Sequence, residues 1–173
     1  MLLDRAVLDT PIGPLLLHAR GDALVGLEFN ERRERTGALH DRLDRYVGAF
    51  DSRDVADPAG AATRLARYFA GDRFALDGQK VELLGTEFER AVWEQLLRIP
   101  TGATISYTEL ARRVERPKGP RAVGQANGRN PIALFVPCHR VIAADGTLGG
   151  YGGGLDRKRR LLELEGALAP ALI

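Results

Sequence analysis

Apolar and polar positions alternate in three short runs near the start of the chain, at 5–8, 15–18 and 24–29, separated by Pro11-Ile12-Gly13-Pro14 and Gly21-Asp22. Runs of that length bounded by glycine and proline turns predict strands, and three in succession predict a small antiparallel sheet. Residues 30–57 are charged and predict a loop with one weak helix around 39–47, closed by Asp57-Pro58. Residues 59–70 put Leu65, Tyr68 and Phe69 at helical spacing before Gly71-Asp72 stops them. An extended pattern returns over 74–84 and ends at Gly85, which sets the predicted division into domains at 1–85 and 86–173.

The second half carries clearer punctuation. Thr86-Glu87-Phe88-Glu89 has the form of a capping box, in which the Thr side chain and the third-position Glu cap each other's backbone. Phe88, Val92, Leu96 and Leu97 then share a helical face, with Trp93 beside it, until Ile99-Pro100 ends the helix. Ser106-Tyr107-Thr108-Glu109 predicts a second capping box, opening a short helix with Leu110 and Val114 inward. After the turn Arg116-Pro117-Lys118-Gly119-Pro120, a further helix can start at Pro120 and run through Arg121, Val123 and Ala126 to Gly128. Two short helices around a tight glycine turn predict a helix-turn-helix. Residues 132–136 and 141–144 read as strands, and Asp145-Gly146 as a turn. The loop Gly149-Gly150-Tyr151-Gly152-Gly153-Gly154 fits neither the dinucleotide nor the phosphate-loop spacing, which excludes a nucleotide cofactor on this motif. A last helix starts at Leu155-Asp156 with four cations in its first turn, Arg157, Lys158, Arg159 and Arg160. Cations at the positive end of a helix dipole are unfavourable unless something anionic or solvent compensates them. The expected fold class is α/β (α+β): a small mixed N-terminal domain with an antiparallel sheet, and a mainly helical, winged-helix-like C-terminal domain.

Composition changes the picture in three ways. With 45% apolar and 28% charged residues the chain is of ordinary globular type, and no apolar run reaches membrane-spanning length. The start also lacks a secretion signal, so a cytoplasmic protein is expected. The net charge of +2 is uneven: residues 1–85 hold 12 Lys/Arg against 14 Asp/Glu, and residues 86–173 hold 13 against 9. Within 99–140, Arg112, Arg113, Arg116, Lys118, Arg121, Arg129 and Arg140 face only Glu109 and Glu115, an excess that suits a phosphate backbone as well as a solvated face. Finally, Cys138 is the one cysteine, and it stands with three scattered histidines (His18, His40, His139), which excludes an internal disulfide and disfavours a structural zinc.

Pro137-Cys138-His139-Arg140 is the candidate for chemistry. A reactive cysteine needs a neighbour that takes its proton; His139 is the natural base, Arg140 adds positive potential, and Glu165 is the candidate to orient the imidazole. On an extended segment adjacent side chains diverge, so Cys138 and His139 can cooperate only through a bend at Pro137 or across a water. Taken alone, the Cys-His pair is weak evidence, because such a pair is more often buried packing than catalytic.

The wider pattern resembles the O6-alkylguanine-DNA alkyltransferase family. It comprises Gly102, Ile105-Ser106-Tyr107, Arg121-Ala122-Val123-Gly124, Asn130-Pro131, Val136-Pro137-Cys138-His139-Arg140-Val141-Ile142, the glycine loop and Leu161-Leu162-Glu163-Leu164-Glu165-Gly166. These motifs cover 86–166 in the family's order, and Thr10 to Pro14 fits its usual N-terminal domain. The resemblance implies that Cys138 accepts the alkyl group, that His139 activates it through a water, and that Glu165 holds the imidazole. Asn130 would brace the active-site turn. Tyr107 would push the target phosphate and offer its hydroxyl to guanine N3. The second helix (Arg121, Ala122, Gly124, Asn127, Arg129) would meet DNA in the minor groove, with Arg121 filling the gap left by a flipped-out guanine. Cys138, Val141, Tyr151 and Gly152 would line the base pocket through their backbones.

Double-stranded DNA containing O6-alkylguanine is thus the expected partner, no cofactor is required, and a monomer is expected in solution, with cooperative assembly on DNA left open. The product thioether is a poor leaving group, so transfer should occur once per molecule. Pro120 before Arg121 and the side-chain-free Gly152 depart from the usual pattern and bear on substrate range. The main alternative is a non-catalytic alkylguanine-binding protein, which would lack the acceptor cysteine. A winged-helix regulator or a cysteine hydrolase would leave part of the pattern unexplained.

Overall fold

In a computed structural model, residues 1–30, 33–114 and 119–170 are described, with only the backbone helix given for 33–36. The chain forms two compact units, Met1–Gly85 with Pro131–Phe135, and Thr86–Asn130 with Val136–Ile173. The short 131–135 segment, read from sequence as part of the second domain, therefore groups with the first.

The first unit is built on a four-stranded sheet. Strands β1 (Leu2–Leu8), β2 (Leu15–Arg20) and β3 (Ala23–Phe29) form the expected antiparallel meander, with a bulge between His18 and Ala19. A fourth strand, β4 (Asp51–Asp54), pairs parallel to β1 and gives the order β3-β2-β1-β4. The sequence reading placed it in a loop because Asp51-Ser52-Arg53-Asp54 has no apolar face. All four residues are exposed, and cross-strand pairs between Arg5 and Asp54 and between Arg53 and Asp4 accompany the strand.

Helix α1 (Arg33–Val47) is longer than expected and packs Leu39 and Leu43 with Leu3, Val25 and Leu84. Gly26 makes that approach close: a β-carbon there would come within 2.9 Å of the Leu39 side chain. Helix α2 (Ala61–Phe69) buries Ala61, Leu65 and Tyr68, in agreement with its spacing. Two expected strands are turns and irregular chain. In 74–84 the only bridge is Leu24 with Val81, and in 132–136 it is Leu27 with Ile132. Each of these bridges covers part of the outer edge of β3, which would otherwise present unpaired backbone groups.

His18 lies in this unit with 7% of its surface exposed, close to the Phe50 ring, and its Nδ1 has no hydrogen-bond partner. Burial, then the charge of Arg5, then His40 depress its pKa to about 4. His18 is therefore neutral in the fold at pH values where the unfolded chain would protonate it. Its contribution is fully present above pH 6.5 and is lost as pH falls toward 4. The wild type should lose about 3 kcal/mol across that window relative to His18→Leu, measured by urea unfolding. Parallel pH profiles for the two proteins would remove the role.

The second unit is mainly helical. Helix α3 (Glu87–Leu96) has the expected reciprocal capping box at Thr86 and Glu89, and its buried Trp93 donates from Nε1 to the Ala126 carbonyl at 2.8 Å. Strand β5 (Ile105–Ser106) leads into α4 (Tyr107–Arg113), and α5 (Gly119–Gly128) packs against both α3 and α4. The expected second capping box is one-sided. Ser106 caps Glu109 N–H, but the Glu109 carboxylate goes to Arg112 and Arg113, each at 2.8 Å. Of the turn expected between these helices, residues 115–118 lie outside the described residues, and Arg116 and Lys118 with them. Strand β6 (Val141–Ile142) pairs parallel to β5, and α6 (Leu155–Leu164) closes the unit. Among the described residues no helix is long and apolar enough to cross a membrane.

Candidate active site

Cys138 begins a single 3-10 turn, Cys138–Arg140, entered through Pro137. The turn supplies the bend that an extended segment lacks, and Cys138, His139 and Arg140 are all buried. His139 Nε2 lies 2.9 Å from Glu165 Oε1, and both side chains are fully enclosed. With Nε2–H donating to the carboxylate, Nδ1 is the free, proton-accepting nitrogen, and it has no hydrogen-bond partner.

Arg140 was expected to add positive potential beside the thiol; the structure shows a different use. Its guanidinium donates to Glu165 Oε2 from Nε at 2.8 Å and to Glu165 Oε1 from Nη2 at 3.0 Å. It also donates to Ile99 O at 2.7 Å and Thr101 Oγ1 at 3.1 Å, so its charge is engaged by the carboxylate. Burial alone would raise the Glu165 carboxyl, but the bonds and charges of His139 and Arg140 outweigh it and hold the pKa at about 2. Glu165 is thus an anion that positions both neighbours.

Burial pushes the Cys138 thiol up, against lowering contributions from the Asn130 side chain, the Lys158 charge and the backbone N–H groups of Cys138 and His139. The resting group is therefore a protonated thiol. Asn130 also donates from Nδ2 to Val136 O at 2.7 Å, tying the residues on either side of Pro137 to the end of α5.

Lys158 was read only as one cation of a basic helix start. Its side chain is fully buried, and Nζ donates to the carbonyls of Val141 at 2.6 Å, Leu148 at 2.5 Å and Gly150 at 3.0 Å. Carbonyl oxygens supply the compensation that the helix dipole denies it, although burial still lowers its pKa to about 8. Arg157 is served in the same way by Gly153 O at 3.0 Å. A signal for Lys158 was present: it shares the 3.6-residue face of Leu161, Leu162 and Glu165.

Tyr107, in the first turn of α4, has its ring bracketed by two glycines. Added β-carbons would come within 3.6 Å of it at Gly124 and 3.1 Å at Gly149. Its hydroxyl donates to Gly150 O at 3.3 Å. On α5, Arg121 and Arg129 are exposed, Ala122 and Gly124 half-buried, and Asn127 buried. Asn127 was assigned to the DNA-facing side, but its Nδ2 donates inward to Cys138 O at 3.3 Å. Gly124 faces Tyr107, while Arg129 reaches toward Glu89 at 3.8 Å. The Cys138 carbonyl also accepts Val141 N–H, so an incoming base amino group would meet an acceptor already engaged twice. Val141 is buried, Tyr151 half-buried and Gly152 exposed.

Fold and site together define a chain whose second unit carries two packed short helices, a buried thiol and, next to it in sequence, an imidazole bonded to a buried carboxylate. Comparison with known proteins narrows this class. The family model described as the 6-O-methylguanine DNA methyltransferase DNA binding domain matches residues 87–167, and that family's ribonuclease-like domain matches residues 4–83. The chain belongs to the 6-O-methylguanine DNA methyltransferase family. It is 48% identical over 164 residues to a methylated-DNA–protein-cysteine methyltransferase of Mycobacterium tuberculosis, covering 95% of this chain and 93% of that one. The Salmonella typhimurium protein of the same name is 42% identical, covering 92% and 93%. Among solved structures, Mycobacterium tuberculosis OGT in complex with DNA aligns with a TM-score of 0.76 at 44% identity, over 99% of this chain and 96% of that one. The O6-methylguanine-DNA methyltransferase of Pyrococcus kodakaraensis aligns with a TM-score of 0.68 at 27% identity, over 95% and 99%.

Proposed function

We propose that this protein repairs double-stranded DNA by transferring the alkyl group of O6-alkylguanine to Cys138, once per molecule, in the cytoplasm. The observation that carries the reading is the buried turn that sets Cys138 beside His139, with the imidazole held by Glu165 through Nε2 and Nδ1 without a hydrogen-bond partner. In the step itself, the thiol proton passes through a water to His139 Nδ1. Sulfur then forms a bond to the alkyl carbon as the bond from that carbon to O6 breaks. The electron pair leaves with guanine, which recovers a proton. Donors around the base oppose its developing negative charge, and the Tyr107 hydroxyl serves guanine N3.

A thiol that rests protonated and buried is shielded from oxidation and stray electrophiles, which suits a protein that can react only once. A base inside a duplex hides O6, so the guanine is flipped into the pocket. Arg121, exposed on the first turn of α5, fills the gap and offsets part of the unstacking cost. Ala122, Gly124 and Arg129 belong to the same helix and its end, which meets the DNA. Asn130 braces the acceptor turn. The backbones of Cys138, Val141, Tyr151 and Gly152 line the base pocket, and the protein is a monomer in solution.

The test is intact and peptide mass analysis after mixing the protein with a duplex containing O6-methylguanine. One methyl group on the peptide holding Cys138, with one lesion repaired per protein, is the expected result. Tight binding without a mass change would instead make this a lesion-binding protein.

A further inference from the structure

Tyr107 is useful to guanine N3 only if its hydroxyl hydrogen points at the base, and a phenol hydrogen can rotate. Something must therefore set its direction. Asn127 stands in the right place. It lies on the inner face of α5, 5% exposed, with Nδ2 donating to Cys138 O at 3.3 Å. Its Oδ1 is enclosed and has no hydrogen-bond partner, so this carboxamide acts through its two N–H groups. Asn127 stands one helical turn from Gly124, where an added β-carbon would come within 3.6 Å of the Tyr107 ring, and its side chain hydrogen-bonds Tyr107. With Oδ1 unpartnered, that bond falls to the remaining N–H and the phenol oxygen.

We infer that Asn127 is a positioning residue that holds Tyr107 as a hydrogen-bond donor, by occupying the phenol oxygen from the α5 side and leaving its hydrogen to the base pocket. The inference rests on the repair reading above, which supplies guanine N3 as the acceptor.

The surroundings fit a donor that must be handed over. Before a base arrives the Tyr107 hydrogen is parked on Gly150 O at 3.3 Å. That carbonyl also accepts Lys158 Nζ at 3.0 Å, so when the hydroxyl turns to N3 the carbonyl keeps a donor. The ring is closely flanked meanwhile, since a β-carbon added at Gly124 or Gly149 would come within 3.6 or 3.1 Å of it. Asn127 meanwhile also bonds the backbone carbonyl of the acceptor residue, so one side chain ties the donor to the acceptor turn.

The test compares single-turnover transfer from duplexes holding O6-methylguanine or its 3-deaza analogue, in which a C–H replaces N3. The wild type should be slowed roughly tenfold on the analogue, the worth of one buried hydrogen bond. Asn127→Leu, similar in size but without a donor, should be slowed by a similar factor on O6-methylguanine and scarcely further on the analogue. Asn127→Ala serves where the leucine does not fit, with thermal unfolding to establish that each variant is folded. Equal slowing of the variants on both duplexes would mean that Asn127 only supports packing, and would overturn the inference while the repair reading stands. No transfer by the wild type from either duplex would overturn both.

Discussion

Cys138→Ala should abolish alkyl transfer and leave affinity for duplex DNA within a factor of about two. The variant removes a single sulfur, so its effect can be separated into chemistry and structure. Chemically, no other cysteine exists in the chain, and removing the nucleophile of a covalent mechanism typically costs ~10⁴-fold or more. Structurally, the thiol is one small group in an enclosed turn, and its loss should reduce stability by only about 1 kcal/mol. The charges expected to meet phosphates, Arg121 and Arg129, lie exposed on α5 and beyond its end, whereas Cys138 is buried. Transfer assays and binding titrations at one fixed salt concentration read the two effects. Transfer that survives would place the acceptor elsewhere, and binding that collapses with the sulfur would make Cys138 a packing residue.

Glu165→Gln should be the most destabilising single change at the site, by about 3–5 kcal/mol at neutral pH. The reason is the partner it leaves behind. Arg140 is 5% exposed, and it takes both carboxylate oxygens of Glu165 as its only counter-charge among the described residues. An amide of the same shape cannot balance a buried guanidinium, so the cost is that of an uncompensated cation. The pH dependence identifies the cause. A carboxyl held at about 2 in the fold, against 4.5 unfolded, contributes stability that is present above pH 4.5 and lost as pH falls toward 2. Wild type and variant should therefore converge over that range, below the window in which His18 acts. Transfer should also slow by about 10²-fold, because the His139 ring is no longer held with Nδ1 free for the thiol proton. A loss below 1 kcal/mol in urea melts would show that Ile99 O and Thr101 carry Arg140 without the carboxylate.

Residues whose environment is set by near neighbours were legible in the sequence. The three strands of the meander follow from apolar runs cut by turns. The Thr86 cap follows from a four-residue pattern, because both partners lie within one helical turn. The Ser106 cap, with the same pattern, came out half formed. There the Glu109 carboxylate has two arginines on its own helix to choose from, and charged partners win over a backbone N–H. Apolar runs without a fixed partner misled. Residues 74–84 and 132–136 look like strands, but each finds only one bridging position on β3. β4 is the reverse case, a strand with no apolar signal that exists because β1 offers it an open edge.

The same division runs through the site. Cys138, His139 and Glu165 could be named from their chemistry, and Asn130 and Tyr107 from the family resemblance. The arrangement that relates them could not, because it depends on which side chains point inward. Four consecutive cations begin α6, and only Lys158 has its stem on the face that carries Leu161 and Leu162 into the core. Once there, it must find acceptors, and the folded loop provides three carbonyls. Asn127 was read as a DNA contact for want of the same knowledge: the inner face of α5 is defined only when α3 packs on it. Arg140 sits two residues from the thiol in sequence, yet its long side chain finds the Glu165 carboxylate 25 residues further along. The sequence by itself thus determined which chemical groups are present and which local turns and caps hold them. The tertiary structure decided which of those groups are buried together, since enclosing a charge or an amide forces it to choose partners that no local pattern records.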